Sequence, residues 1–211
     1  MREGDKKGIS EGYSLHALAF AALNQDEKAL EGFNEAIKLN PNDAVAYYNH
    51  GFVYCKLKRY EDAIDDYNKA IELNPNFAKA YENKGRTYFE MEEYEEAARD
   101  FKTAGILFYK QRSENCMEMF SICFDLRDKI KRKREDIVFC GLALYLLTKD
   151  EKILEELKTR QVDDETMRRI LEFTLRKSSG KEISEEVGKK LEKEEREEIR
   201  LLLELLKLKF D

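Results

Sequence analysis

The side chains most capable of chemistry in this chain are two histidines, His16 and His50, which stand 34 residues apart. Imidazoles ligate metals and move protons near neutral pH. Two of them with no adjacent Cys and no third His make a poor donor set. The expected reading is polar residues tolerated at a partly covered helix–helix contact. Cys116 and Cys123 are seven residues apart, on one face of a helix. No CxxC and no histidine accompanies them, so burial is expected rather than ligation or redox work. The acidic runs Glu92-Glu93-Tyr94-Glu95-Glu96 and Glu194-Glu195-Arg196-Glu197-Glu198 read as solvated helix faces rather than paired carboxylates of an active site. There is no Gly-rich phosphate loop, no nucleophile elbow and no HExxH. The sequence therefore predicts no enzyme, no metal site and no cofactor.

The chemistry that remains is charge. The chain has 211 residues, 39% of them charged, with a net charge of −6, two prolines and no tryptophan. Lys, Glu, Leu and Ala recurring at helical spacing predict an all-α protein. The acidic balance argues against a general nucleic-acid binder, because phosphate recognition is chiefly cationic. The one basic cluster, Lys129-Ile130-Lys131-Arg132-Lys133-Arg134, could touch RNA, but no aromatic interrupts it as a stacking platform would. A helix end whose cations face water explains it as well. The start, MREGDKKGIS, has no apolar segment behind its charges, so no signal peptide is expected. The longest apolar run, Ile137 to Leu147, is far shorter than the ~20 residues of a membrane span. Four cysteines without close pairing fit reduced, cytoplasmic usage.

The elements that would position any site repeat with a period of 34 residues. Tyr47, Asn49, Gly51, Tyr54, Tyr60, Ala63 and Ala70 recur as Tyr81, Asn83, Gly85, Tyr88, Tyr94, Ala97 and Ala104. A weaker copy precedes them in Tyr13, Ala17, Phe20, Ala29, Phe33 and Ala36, with Pro41 matching Pro75. In the stretch 44–77, one helix is expected at about Val45 to Leu57 and a second at about Tyr60 to Leu73. Gly51 and Ala63 are small where the two would cross, and Tyr54, Tyr60 and Tyr67 would fill the space around them. Asn74-Pro75 ends the second helix, because proline cannot continue one. A single hairpin cannot cover its own apolar face, so the copies must stack. The first copy departs from the pattern, with Ala17 for the glycine and Asp26 for the tyrosine. The third has Tyr109 where the proline should be, so its second helix is expected to run on past Gly105.

The period, small-residue spacing and terminal proline resemble the tetratricopeptide repeat (TPR) family over Ser10 to Gln111. The resemblance implies three helical hairpins, 10–43, 44–77 and 78–111, in a right-handed α-α superhelix. It also implies that the first helix of each hairpin lines a concave groove for an extended peptide or a partner helix. The groove would be lined by Ser14, Leu18 and Ala21, then Tyr48, Asn49, Phe52 and Cys55, then Lys79, Glu82, Asn83, Arg86 and Phe89. Its expected binding residues are Leu18, Tyr48, Asn49, Phe52, Lys79, Asn83, Arg86 and Phe89. Asn49 and Asn83 could each donate to a peptide carbonyl and accept from its amide. Tyr48, Phe52 and Phe89 offer apolar area, and Lys79 with Arg86 offers positive charge for a carboxylate. One TPR subclass clamps acidic chaperone tails with two lysines, two asparagines and an arginine. Only Asn49 and Lys79 match those five places; Ser14, Leu18 and Asn83 stand in the others. The sequence therefore argues against that ligand and for an amphipathic one.

Beyond the repeats, residues 112–134 are expected to form a capping helix, with Ser113 as N-cap of a helix at about 114–133. Residues 135–211 are expected to form a C-terminal helical bundle. Its helices would follow Asp136, then lie at about 151–159 and 164–176, with a turn at Ser178-Ser179-Gly180 and a charged segment capped by Ser184. That segment ends with Ile199, Leu201, Leu202, Leu203, Leu205, Leu206 and Leu208, apolar on more than one face. Such a helix is buried either inside the bundle or against a second copy. The overall expectation is a cytoplasmic, non-catalytic adaptor or scaffold that binds a protein or peptide in the groove. The alternatives are a homodimer through the leucine-rich helix, or an RNA-binding accessory protein through residues 129–134.

Overall fold

The computed structural model describes residues 3–130, 135–158, 174, 200–202 and 204. Among these, the regular elements are helices only. They divide into two compact units, residues 1–93 and 94–211.

The first unit holds α1 (Glu3–Ala22), α2 (Asp26–Leu39), α3 (Ala44–Lys56), α4 (Tyr60–Leu73) and α5 (Ala78–Glu90). The expected bounds of α3 and α4 hold to within a residue. Asp43 caps α3, its Oδ1 accepting from the amides of Val45 at 2.9 Å and Ala46 at 3.1 Å. That satisfies two of the four donors a helix start leaves open. Helices α2 and α4 each stop on an asparagine before proline. Asn40 and Asn74 then fold their side chains back onto the amides of Asn42 and Asn76.

Within 44–77 the crossing is as tight as the residue types imply. A Cβ on Gly51 would lie 3.1 Å from the Ala63 carbonyl, the Asp66 Cβ and the Tyr67 ring. Tyr67 is fully buried beside it. In the first hairpin the glycine has moved to the other helix. A Cβ on Gly32 of α2 would come within 2.9 Å of the Ala17 Cβ of α1. The crossing still contains one glycine, and only the helix that supplies it differs. Asp26, where the later copies have tyrosine, receives Lys56 Nζ at 2.6 Å. Lys56 also donates to the Ala21 carbonyl at 3.1 Å and to Asn24 Oδ1 at 3.3 Å, so α3 ties down the turn of the hairpin before it.

The turns that follow α1, α3 and α5 each use a residue in the left-handed region: Asn24, Lys58 and Glu92, with φ of 56°, 60° and 61°. The three are 34 residues apart. In each turn the amide of the next residue reaches back five positions, as Arg59 N does to the Tyr54 carbonyl at 2.9 Å. This is a Schellman closure, which normally selects glycine. Here asparagine, lysine and glutamate occupy that position instead.

The two histidines differ in setting. His50 is 5% exposed, with Nδ1 2.8 Å from Asp66 Oδ2 but no well-formed hydrogen bond, between the rings of Phe33 and Tyr54. His16 is exposed and tilts against Phe20.

The second unit holds α6 (Tyr94–Lys110), α7 (Asn115–Asp125), a 3-10 turn (Leu126–Asp128), α8 (Glu135–Thr148) and α9 (Glu151–Lys158). Helix α6 runs on past Gly105, as the missing proline implies. Gly105 lets the Phe120 ring of α7 sit where a Cβ would stand, 2.5 Å away. Helix α7 is shorter than the expected 114–133. The chain tightens after Asp125, and the Leu126 carbonyl accepts from both Lys129 and Ile130 amides. Leu126 and Ile130 at the two ends of that turn are both buried. Cys116 and Cys123 are buried, and burial pushes the Cys116 thiol up, away from the reactive thiolate. Helix α8 carries the apolar run, buried from Ile137 through Leu146. Leu201 and Leu202 are buried too. Lys129 of the basic cluster donates to the Tyr94 hydroxyl at 3.2 Å, and Ile130 is core. Lys131–Arg134, most of the expected helix 164–176, the turn at 178–180, Ser184 and the remaining leucines lie outside the described residues.

Two substitutions test this account of the hairpins. Lys58→Gly is expected to raise stability by about 1 kcal/mol, because it relieves a left-handed non-glycine residue. Thermal melting should show the midpoint rise by a few degrees. Gly32→Ala is expected to cost about 1–3 kcal/mol through overpacking against Ala17. Adding Ala17→Gly should recover most of that loss in the same melts.

Candidate functional site

The first helices of the hairpins form one row of the first unit: α1 contacts α3, and α3 contacts α5. The residues expected in the groove occur at matching places along them. Three apolar side chains stay open to solvent, Leu18 at 40%, Phe52 at 46% and Phe89 at 37%. A helix of a folded hairpin has no packing need for such residues on its outer face. Singly they are ordinary, but a row of them with polar groups between marks a surface of interest.

The polar residues fall into two groups. Asn83 and Arg86 are engaged within the row. Asn83 Nδ2 donates to the Tyr48 hydroxyl at 3.0 Å. Arg86 donates through Nε and Nη2 to Glu82 Oε1, one helical turn away, at 3.2 and 3.0 Å. Tyr48 itself packs its ring on Phe77 at 4.9 Å and on Tyr67 at 6.0 Å. Burial, then the nearby Glu82, pushes the Tyr48 phenol up, so it stays neutral. Tyr48 and Asn83 therefore brace the wall between α3 and α5 rather than standing ready for a ligand. Behind them the Thr87 hydroxyl donates to the Asn83 carbonyl at 2.8 Å, which leaves the Cys55 thiol, 2.8 Å from Thr87 Oγ1, as the donor to that hydroxyl oxygen. The Tyr67 hydroxyl closes this layer, facing Cys55 and Asn83 without a well-formed bond, and its phenol is pushed far up by burial.

Asn49 and Lys79 form the second group. Among the described residues neither side chain makes a hydrogen bond or ion pair; Asn49 is half-buried and Lys79 exposed. These are the two places that match the five-residue clamp. The arrangement offers one amide that can both donate and accept, one ammonium, and apolar area on three successive helices.

Two further residues of this surface were missed in the sequence reading. Leu15, 68% exposed, lies one period before Asn49, and Val45, 55% exposed, lies one period before Lys79. The period itself was the signal that could have found them. They extend the apolar part of the face toward the first hairpin.

Three family models match the chain. A tetratricopeptide repeat model covers residues 44–77, a TPR repeat model residues 17–58, and a second tetratricopeptide repeat model residues 66–99. No curated protein sequence matches. Among solved structures, the chain is similar to the TPR2B domain of yeast Sti1, solved as a complex with pHsp70. Identity there is 26% and the TM-score 0.54, over 57% of this chain and 98% of that one. It is similar to the Arabidopsis OM64 TPR domain at 27% identity and a TM-score of 0.52, over 57% of this chain and 98% of that one. A TPR2AB domain of yeast Sti1, in a pHSP90 complex, matches at 28% identity and a TM-score of 0.52, over 55% of this chain and 45% of that one. With the period, the glycine crossings and the stacked hairpins in view, residues 17–99 of this chain are tetratricopeptide repeats.

Proposed function

We propose that the chain is a non-catalytic adaptor that binds a peptide segment of another protein along the inner face of α1, α3 and α5. The observation that carries this reading is the pair Asn49 and Lys79. Among the described residues both heads stand without a side-chain partner, beside exposed Leu18, Phe52 and Phe89. An extended backbone presents alternating donors and acceptors, and a single carboxamide can serve both at once. An ammonium nearby favours a carboxylate, as a side chain or a chain terminus. The apolar row then takes the ligand's apolar side chains and supplies most of the buried area.

The similar Sti1 domains are complexes with pHsp70 and pHSP90. Peptide binding by TPR domains of this kind supports the class of ligand. The identity of the ligand here is read from this chain's own residues instead. Leu18 stands at a place where the clamp has a polar group, and Asn83 is committed to Tyr48. The reading is a peptide with one acidic group flanked by aliphatic or aromatic side chains. A cytoplasmic setting is part of the proposal and fits four free thiols. No helix among the described residues is long and apolar enough to cross a membrane.

A displayed random-peptide library tests the proposal without a known partner. The wild-type chain should enrich peptides that combine acidic with apolar residues. Recovered peptides should bind the Asn49→Ala variant about 10-fold more weakly, which is what loss of one to two hydrogen bonds gives. Lys79→Ala should remove the acidic preference and flatten the salt dependence. Equal binding by folded Asn49→Ala and Lys79→Ala chains would overturn the assignment.

A further inference from the structure

A cavity of about 740 Å³ lies within the second unit, between the end of α6, the start of α7, the last turn of α8 and residues 200–204. Small-molecule sites span roughly 300–1,000 Å³. A packing fault that holds a single water is far smaller. Among the described residues, the buried part of its lining is Leu201 and Cys116, with Leu147 and Tyr109 half-buried beside them. Burial pushes the Tyr109 phenol up, and the nearby Glu204 and Cys116 add to that. Burial does the same to the Cys116 thiol. Both groups therefore stay protonated, and this part of the lining is apolar with one O–H and one S–H donor.

The exposed part of the lining is mostly charged. Lys110, Arg112 and Arg200 stand there against Glu114 and Glu204. The chain as a whole has a net charge of −6, so this cavity reverses the balance. Arg112 is the residue that points to a ligand. Arg59, Arg86, Arg99 and Arg127 each pair with a carboxylate. The Arg112 guanidinium makes no hydrogen bond or ion pair among the described residues, and neither Glu114 nor Glu204 comes close enough to pair with it. Its backbone is held in the turn after α6, where φ is 55° and the Ser113 amide reaches back to the Phe108 carbonyl at 2.9 Å. A fixed backbone thus presents an uncommitted cation beside an apolar cavity.

We propose that this cavity binds a small amphipathic anion, its apolar body against Leu147, Leu201 and the Tyr109 ring and its carboxylate or phosphate head on Arg112. A planar guanidinium meets either head with two parallel hydrogen bonds. Lys110 and Arg200 raise the local potential for the same negative charge. A bare anion would make no use of the apolar lining, and an uncharged lipid would make no use of Arg112. A fatty acid and an alkyl phosphate share the chemistry that the lining recognises, so the two are separated by experiment. The site shares no residue with the groove and does not depend on the peptide-binding reading.

Isothermal titration calorimetry of the full chain tests this with dodecanoate and dodecyl phosphate, each below its micelle concentration, and with dodecyl maltoside as the uncharged control. At least one of the anions should saturate a single site per chain, with dissociation at about 10–100 µM. Equal binding of both assigns the site to the charge alone, and a preference of about 10-fold or more names the head it takes. Arg112→Gly suits the left-handed turn and should keep the melting midpoint, yet weaken binding about 10-fold or more. Leu147→Trp should fill the cavity and remove binding while circular dichroism stays helical. Lys58→Gly makes the same backbone change in the first unit and should leave binding as it is. The proposal is overturned if neither anion binds saturably, or if the maltoside binds as tightly as they do. Binding unchanged in Arg112→Gly or in folded Leu147→Trp overturns it too, as does an equal loss in Lys58→Gly.

Discussion

The close crossing of two helices at a single glycine sets the rest of this structure. At Gly51 the backbone of α3 comes so near α4 that a methyl group would press on the Ala63 carbonyl and the Tyr67 ring. That proximity seals Tyr67 and turns the outer faces of the hairpin toward its neighbours. No hairpin covers those faces by itself, so stacking follows from the crossing, and a row of first helices follows from stacking. The inner face then has its shape before any ligand is considered. Asn49 and Phe52 flank Gly51 on the same helix, so the residue that fixes the packing also fixes where these two side chains stand.

The crossing tolerates exchange but not loss. The first hairpin keeps one glycine by placing it at position 32 instead of 17, where an added Cβ would press on Ala17. Past the repeats the same device reappears in another form, as Gly105 admits a Phe120 ring and Gly141 admits Phe124. Aromatic rings against glycine bury large area at short interaxial distance, and dense packing of this kind gives a uniquely ordered core.

Much of this could be read in the sequence, for physical reasons. The 34-residue period, the Asn-Pro stops and the run past Gly105 are local backbone effects, so residue type decides them. The left-handed turns at Asn24, Lys58 and Glu92 could not be read, because only the hairpin geometry demands them and none is glycine. The shortening of α7 could not be read either, because Leu126-Arg127-Asp128-Lys129-Ile130 holds no proline or glycine to mark a stop. Of the proposed site, the exposure of Leu18, Phe52 and Phe89 was legible by register. The engagement of Asn83 with Tyr48 was not, since it joins residues 35 positions apart on two helices. Leu15 and Val45 were overlooked because register was compared with a family pattern rather than within this chain.

Side-chain amide resonances give the most direct test of the inner-face account. A peptide recovered from the library would be titrated into the isotopically labelled full chain. The account predicts that the Asn49 carboxamide signals shift and saturate with the binding curve, while those of Asn34, exposed on α2 of the outer row, stay in place. Saturable binding that moves the Asn34 signals and leaves Asn49 unchanged would contradict it.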